Sequence, residues 1–266
     1  MVTYGAASGP DARLPRSMPP ITSDALVLRT YKLGESSKVV VLLTRDRGKL
    51  RAVAKGARGA RPRYQSALEP LSEVRASLHG RQGAELFRLG QCELVRSAFR
   101  AGERGLDAAL ALGYFAELLD AFAQEGEAED TVYRLALAVI GAAEGGTSVV
   151  VLARYLEAWL LRLHGIYPPL DRCAACDAVL PADDLAYHHT SRGFVCARCG
   201  PATGPVLSRD DAGFLREIFR RPPVEVAAAP PAGGLEGFHR QLIEAHLERD
   251  LRSHRVLRDV RRELRG

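Results

Sequence analysis

The chain is poor in aromatic residues: they make up 6% of its 266 positions, with a single tryptophan. A core built from this sequence is therefore largely aliphatic. Five cysteines are too few at this length for a disulfide-stapled secreted scaffold. No apolar run approaches the roughly 18 residues of a membrane-spanning helix. The first twenty residues, MVTYGAASGPDARLPRSMPP, lack the apolar centre of a signal peptide and read as a loose leader. No Gly-Lys-Ser/Thr loop is present to cradle phosphates, so nucleotide hydrolysis is not expected. The serines have no recognisable His/Asp partner. The neighbouring carboxylates Asp183-Asp184 and Asp210-Asp211 point different ways along a chain and read as caps or solvated groups. The chain is expected to bind or assemble rather than catalyse.

What is present is an ordinary globular mixture, 47% hydrophobic and 26% charged, long enough for about two domains. The charge is unevenly placed. The net charge is +5, but residues 21–100 carry sixteen basic and seven acidic side chains, whereas residues 101–170 carry four and ten. A basic front attracts polyanions and an acidic middle repels them. Any nucleic acid is expected at the front.

From residue 23 to about 98 the pattern is short, β-branched and punctuated by turns. DALVLRTYK, SKVVVLLTR, GKLRAVAKG, LSEVRASLHG and GAELFRLGQCELV are five strand-length runs. Val74, Ala76 and Leu78 alternate with Arg75, Ser77 and His79, as on a half-buried strand. Five strands in this span predict a small barrel, of which the OB-fold is the commonest form; an SH3-like barrel fits the spacing almost as well. After residue 100 the period becomes helical. Leu106, Leu110, Tyr114, Leu118 and Phe122 mark one helix, Val132 to Ile140 a second, and Val149 to Leu163 a third that stops at Gly165. Ser208-Arg209-Asp210-Asp211 predicts a capping box opening another helix, and one long helix from about Leu235 to Leu264 is expected to close the chain. The expected organisation is a leader over 1–20, a barrel over 21–98 and a helical domain over 99–266, with a cysteine-rich insert at 171–204.

Within that insert, Cys173-Ala-Ala-Cys176 and Cys196-Ala-Arg-Cys199 are separated by nineteen residues. Tight knuckles of this kind each aim two thiolates at one point, and the loop between them brings the pairs together on a tetrahedral zinc ion. Two disulfides or a redox dithiol are the rival readings, but neither pair sits at a helix start after a buried strand. Four thiolates close the coordination shell, so the zinc is expected to be structural. Ala186 to His189 and Gly193 to Val195 read as the hairpin of a zinc ribbon. Cys92, alone in a strand run, reads as an apolar buried side chain.

Residues 45–63, RDRGKLRAVAKGARGARPR, contain eight basic residues and one acid. On an extended strand Lys49, Arg51 and Lys55 share a face with Val53, and Arg58, Arg61 and Arg63 carry the charge into a Gly-rich loop. These six are the candidate DNA-binding residues. A face of cations without matching acids suits a phosphate backbone, and the scarcity of stacking aromatics argues for little base preference. Reversing Lys49, Arg51 and Lys55 to Glu is expected to weaken binding and leave the fold intact.

The run Leu28-Arg29-Thr30, Gly34-Glu35-Ser36-Ser37 and Leu43 through Arg58, followed by Leu68-Glu69-Pro70-Leu71, closely resembles the bacterial recombination mediator family RecO. Leu161 to Gly165 and Pro169 to Cys173 also resemble its pattern, and the likeness spans about residues 22–265. It implies an OB-fold, a helical domain and an inserted zinc ribbon. It further implies a cytoplasmic, nucleoid-associated protein that binds single- and double-stranded DNA and anneals complementary strands. Such a protein pairs with RecR and helps load recombinase onto strands coated by single-strand binding protein (SSB), whose C-terminal tail the helical domain binds in some members. The chain departs from the pattern in its leader, which makes Met18 a candidate start, and in Arg192-Gly193, where many members have Gly-Gly. Two other classes share the charge and the cysteines: an RNA-binding protein of translation or transcription, and a scaffold that does not touch nucleic acid.

Overall fold

Two runs in the first third of the chain, residues 25–28 and 39–43, are apolar at every position rather than at every second one, so both faces of each strand need cover. In the computed structural model, which describes residues 20–58, 64–81, 83–226 and 234–263, both faces have it. The runs lie in β1 (Ile21–Leu33) and β2 (Ser37–Thr44), which form a closed barrel with β3 (Gly48–Ala54), β4 (Glu73–His79) and β5 (Phe87–Arg96). The order β1-β2-β3-β5-β4, closed by β1 on β4 and with β3 meeting β5 in parallel, is that of an OB-fold. The SH3-like alternative is thereby set aside. Ala25, Val27, Val40, Leu42, Val74, Ala76 and Leu78 fill the barrel. Tyr64 joins them, its hydroxyl donating to the Leu89 carbonyl at 3.0 Å.

The other face of β1 and β2 presents Leu26, Leu28, Val41 and Leu43, which continue without a break into the core of the helical part. That part comprises α1 (Phe99–Gly102), α2 (Leu106–Phe122), α3 (Asp130–Gly145), α4 (Val149–Leu163), α5 (Arg209–Ile218), α6 (Gly234–Leu247) and α7 (Arg252–Glu263). The capping box of α5 forms as read: Ser208 Oγ accepts from the Asp211 backbone N–H, and the Asp211 carboxylate accepts from the Ser208 backbone N–H, each at 3.1 Å. The single closing helix is corrected. It breaks at Glu248, whose φ is +53°, and Leu251 turns into the core. The Glu117 carboxylate, on α2, then accepts from the backbone N–H groups of Arg252 and Ser253 at the start of α7.

Between α4 and α5 lies the cysteine-rich insert, a three-stranded sheet of β6 (Leu185–His188), β7 (Gly193–Val195) and β8 (Val206–Leu207). The hairpin read from sequence is β6 and β7; β8, two residues long, was too short to announce itself. The sheet is seated on the bundle through Tyr187 and Phe194, whose rings lie 5.2 and 5.6 Å from that of Phe238 on α6. Arg192, at the hairpin turn, adopts φ +49°, a left-handed conformation that glycine takes without strain.

A buried polar chain ties the helices together. Glu157 on α4 accepts from Tyr114 Oη (2.7 Å), Arg154 Nη2 (2.6 Å) and His239 Nδ1 (2.9 Å). His239 Nε2 then accepts from Tyr167 Oη at 2.9 Å. A neutral imidazole protonated on Nδ1 satisfies both ring nitrogens and the Tyr167 hydroxyl, because the carboxylate accepts only and the Tyr167 hydroxyl is left to donate. Burial holds the His239 pKa below its ordinary value, and the guanidinium of Arg154 with the His239 hydrogen bond holds Glu157 below the carboxylate value against the opposing effect of its burial.

Candidate nucleic-acid interface and metal centre

β3 alternates as expected, with Ala52 and Ala54 buried inward and Arg51 exposed outward. The outward face does not face solvent along its whole length. Lys49 Nζ donates to the Asp120 backbone carbonyl at 2.7 Å and lies 3.6 Å from the Asp120 carboxylate, with only 13% of its side chain exposed. Asp120 sits in the last turn of α2, where the helix dipole disfavours an anion, and it takes a second cation, Arg29, at 3.1 Å. Arg51 pairs with Glu125 at 2.5 Å and Arg45 with Asp130 at 2.8 Å. The backbone joins in, with the Lys49 N–H donating to the Gln124 carbonyl at 2.8 Å. At Gly48, with φ +62°, an added Cβ would lie 2.0 Å from the Glu127 carbonyl oxygen, so the α2–α3 loop lies directly on the strand.

The expectation of a strand face of cations without acids is therefore corrected. Much of that face is the surface on which the helical part docks, and the acidic middle of the sequence supplies its partners. Lys49 is a clamp between the two parts. Reversing it would put a carboxylate against Asp120, so the triple reversal that includes it would test the fold as well as binding.

Of the other cations without a carboxylate at salt-bridge distance among the described residues, four lie at one end of the barrel, where β1, β2 and β3 meet. Lys32 on β1 stands directly opposite Lys38 on β2, which stands opposite Ala54 on β3. Like charges facing each other across a sheet are unfavourable unless something neutralises them. Lys55 follows Ala54 and is exposed. Arg58 closes the group, its backbone N–H donating to the Ser36 carbonyl and its Nη1 to the Gly34 carbonyl, each at 2.9 Å. Tyr31, 41% exposed, lies alongside with the Arg29 guanidinium 5.6 Å from its ring centre. Lys32 and Lys38 were missed because they lie outside the basic run; only strand pairing brings them to it. Arg61 and Arg63 lie outside the described residues.

The four insert cysteines converge. Their sulfurs all lie within 4.8 Å of one another, and Cys196 Sγ is 3.7 Å from both Cys176 Sγ and Cys199 Sγ. A disulfide needs about 2.05 Å, whereas a tetrahedron with metal–sulfur bonds of about 2.3 Å has edges near 3.8 Å. All four are free thiols that can hold one metal ion. The Cys196 backbone N–H donates to Cys173 Sγ at 3.3 Å and, as the largest effect, brings that thiol down to about 6. Gly193 is the reason the knuckle sits so close to the hairpin, since a Cβ there would meet the Ala174 side chain at 2.6 Å. Cys92, outside this group, is partly buried, which pushes its thiol up to about 11. The adjacent carboxylates serve the backbone: Asp211 in the capping box, and Asp184 accepting from the Arg209 N–H at 2.8 Å.

Residues 18–98 match the family model described as Recombination protein O N terminal, and residues 103–255 match Recombination protein O C terminal. The chain belongs to the RecO family. A DNA repair protein RecO from Koribacter versatilis (strain Ellin345) is 38% identical over 234 residues, covering 86% of this chain and 94% of the relative. Another from Anaeromyxobacter sp. (strain K) is 34% identical over 246 residues, covering 88% and 94%. Membership of the RecO family places the chain among recombination and repair proteins, which sets aside translation and transcription. Among the described residues no helix is long and apolar enough to cross a membrane.

Proposed function

We propose that this RecO-family chain is a recombination mediator that binds single- and double-stranded DNA, anneals complementary strands and, with RecR, helps load recombinase onto SSB-coated strands. The observation that carries the DNA-binding part is the unneutralised group Lys32, Lys38, Lys55 and Arg58 at the barrel end, with the exposed ring of Tyr31 beside it. Annealing has no bond to break. Two strands repel, and a surface that neutralises phosphates and holds both loosely raises the rate of their encounter. Backbone contacts through lysine carry no base preference, as annealing of arbitrary sequences requires. The test is fluorescent strand annealing by the Lys32→Gln, Lys38→Gln, Lys55→Gln variant. Loss of most of the annealing rate by a protein with unchanged melting is expected; full activity would move the site elsewhere.

The metal, in this reading, is one zinc ion held by Cys173, Cys176, Cys196 and Cys199. It closes the two knuckles, holds the ribbon on α6 and takes no part in strand pairing.

The SSB tail, in this reading, takes a separate surface. A groove of about 440 Å³ runs between the end of α4 and α5, lined by Tyr167, Pro168 and Phe219, with Arg162, Arg216 and Arg220 outnumbering one acid, Asp171. Arg162 is held over the rings of Phe219 (4.5 Å) and Trp159 (5.4 Å). Three arginines around an apolar lining suit a peptide end bearing carboxylates. Arg216→Ala with Arg220→Ala is expected to abolish binding of an SSB-tail peptide, read by fluorescence anisotropy, while annealing of bare strands persists. Retained peptide binding would remove the groove from the account.

A further inference from the structure

The two β3 cations engaged by the helical part differ in a way that bears on regulation. Lys49 and Asp120 are enclosed, at 13% and 9% exposure, and their contact includes a backbone carbonyl. Arg51 and Glu125 are open to solvent, at 45% and 55%, although the pair is short. An exposed pair of this kind contributes little net stability, so a competing anion displaces it readily, whereas the enclosed one stays shut. Glu125 is also placed with its backbone fixed. The Lys49 N–H holds the Gln124 carbonyl and the Gly126 N–H reaches the Lys49 carbonyl at 3.4 Å, so the carboxylate can swing without the loop leaving the strand. Both side chains line a cleft of about 300 Å³ together with Leu50 and Phe87, and Arg47, Lys49 and Glu85 also lie in its lining. Arg51 lies on the same outward side of β3 as Val53, the side that leads to Lys55.

We infer that the Glu125 carboxylate is a built-in stand-in for a DNA phosphate, occupying Arg51 until a strand bound at the barrel end extends along β3 and displaces it. The inference rests on the DNA-binding reading above and adds a regulated extension to it. In the resting protein the strand engages the lysine group alone. Once Glu125 swings out, Arg51 adds a phosphate contact, and the cleft beside it admits the advancing backbone. The contact selects for strands long enough to reach it and keeps Arg51 from engaging short fragments.

The test is the affinity of the full chain for single-stranded oligonucleotides across a salt series, comparing wild type with Glu125→Gln, Glu127→Gln and Arg51→Ala/Glu125→Gln. Glu127 makes the same charge change from the same loop without an ion pair to β3, so it controls for net charge. Glu125→Gln is expected to bind about two- to fivefold tighter, the range an exposed ion pair accounts for. Its log–log salt slope is expected to steepen by about 0.7, one more phosphate engaged. The gain should vanish in the Arg51→Ala background and be absent in Glu127→Gln. Equal gains from Glu125→Gln and Glu127→Gln, or none from either, would overturn the inference while DNA binding stands. A wild-type chain that binds no DNA would overturn the functional reading, and this inference with it.

Discussion

Glu157→Ala is expected to destabilise the protein by about 3–5 kcal/mol, the range for breaking a buried ion pair by removing one partner. The carboxylate is enclosed and accepts from Tyr114, Arg154 and His239, so alanine leaves three donors facing an apolar void. Only Arg154 retains an anion, Glu236 at 3.2 Å. For a chain of this size the loss lowers Tm on the order of 10 °C, checked by calorimetry. The same cluster sets an acid limit. His239 is held below its ordinary 6.5, so the unfolded chain takes up its proton first and stability falls as the pH drops below about 6.5. Glu157, held below 4.5, adds its stability above that value and loses it as the pH falls through its depressed folded value. Both effects run the same way. Denaturant midpoints should decline from pH 7 to pH 5 and again below 4.5; a flat profile, or an alanine variant that melts with wild type, would contradict the role given to the network.

Removing the zinc proposed for the four cysteines is expected to have a larger local effect. Structural zinc contributes apparent folding free energies of about 10–16 kcal/mol in small modules, as much as the net stability of a whole domain. The ribbon has a second support that an isolated module lacks: Phe194 is fully buried and Tyr187 nearly so, both against Phe238. The bundle and barrel should therefore survive while the insert opens. Wild-type protein is expected to carry one zinc per chain by elemental analysis. The Cys173→Ser, Cys176→Ser variant should carry none and be cut by protease between residues 171 and 207, with its DNA affinity within about twofold of wild type. A metal-free ribbon that resists protease would show that packing alone holds it.

The barrel was legible because each strand run is short and bounded by turns, and the ribbon because four cysteines at that spacing have few other uses. Helix stripes were legible for the same reason of period. The break between α6 and α7 was not. The cap that starts α7 after it is Glu117, some 135 residues away, and nothing near Glu248 announces it. The interface was half legible. The basic run falls on β3 and the loop after it, but a sequence cannot say which of its cations a distant acidic loop will claim. Asp120, Glu125 and Asp130 claim Lys49, Arg51 and Arg45. Conversely Lys32 and Lys38 are single basic residues outside the basic run, and only the register of β1 on β2 sets them face to face. The opposed charges of residues 21–100 and 101–170 thus report in part on how the two halves join.

The salt dependence of single-stranded DNA affinity tests the placement of the interface most directly. If Lys32, Lys38, Lys55 and Arg58 act with Arg61 and Arg63, wild type should show a log–log slope of about −4, and the Lys32→Gln, Lys38→Gln, Lys55→Gln variant a slope of about −2. A variant that keeps the wild-type slope and affinity would show that DNA does not lie at the barrel end.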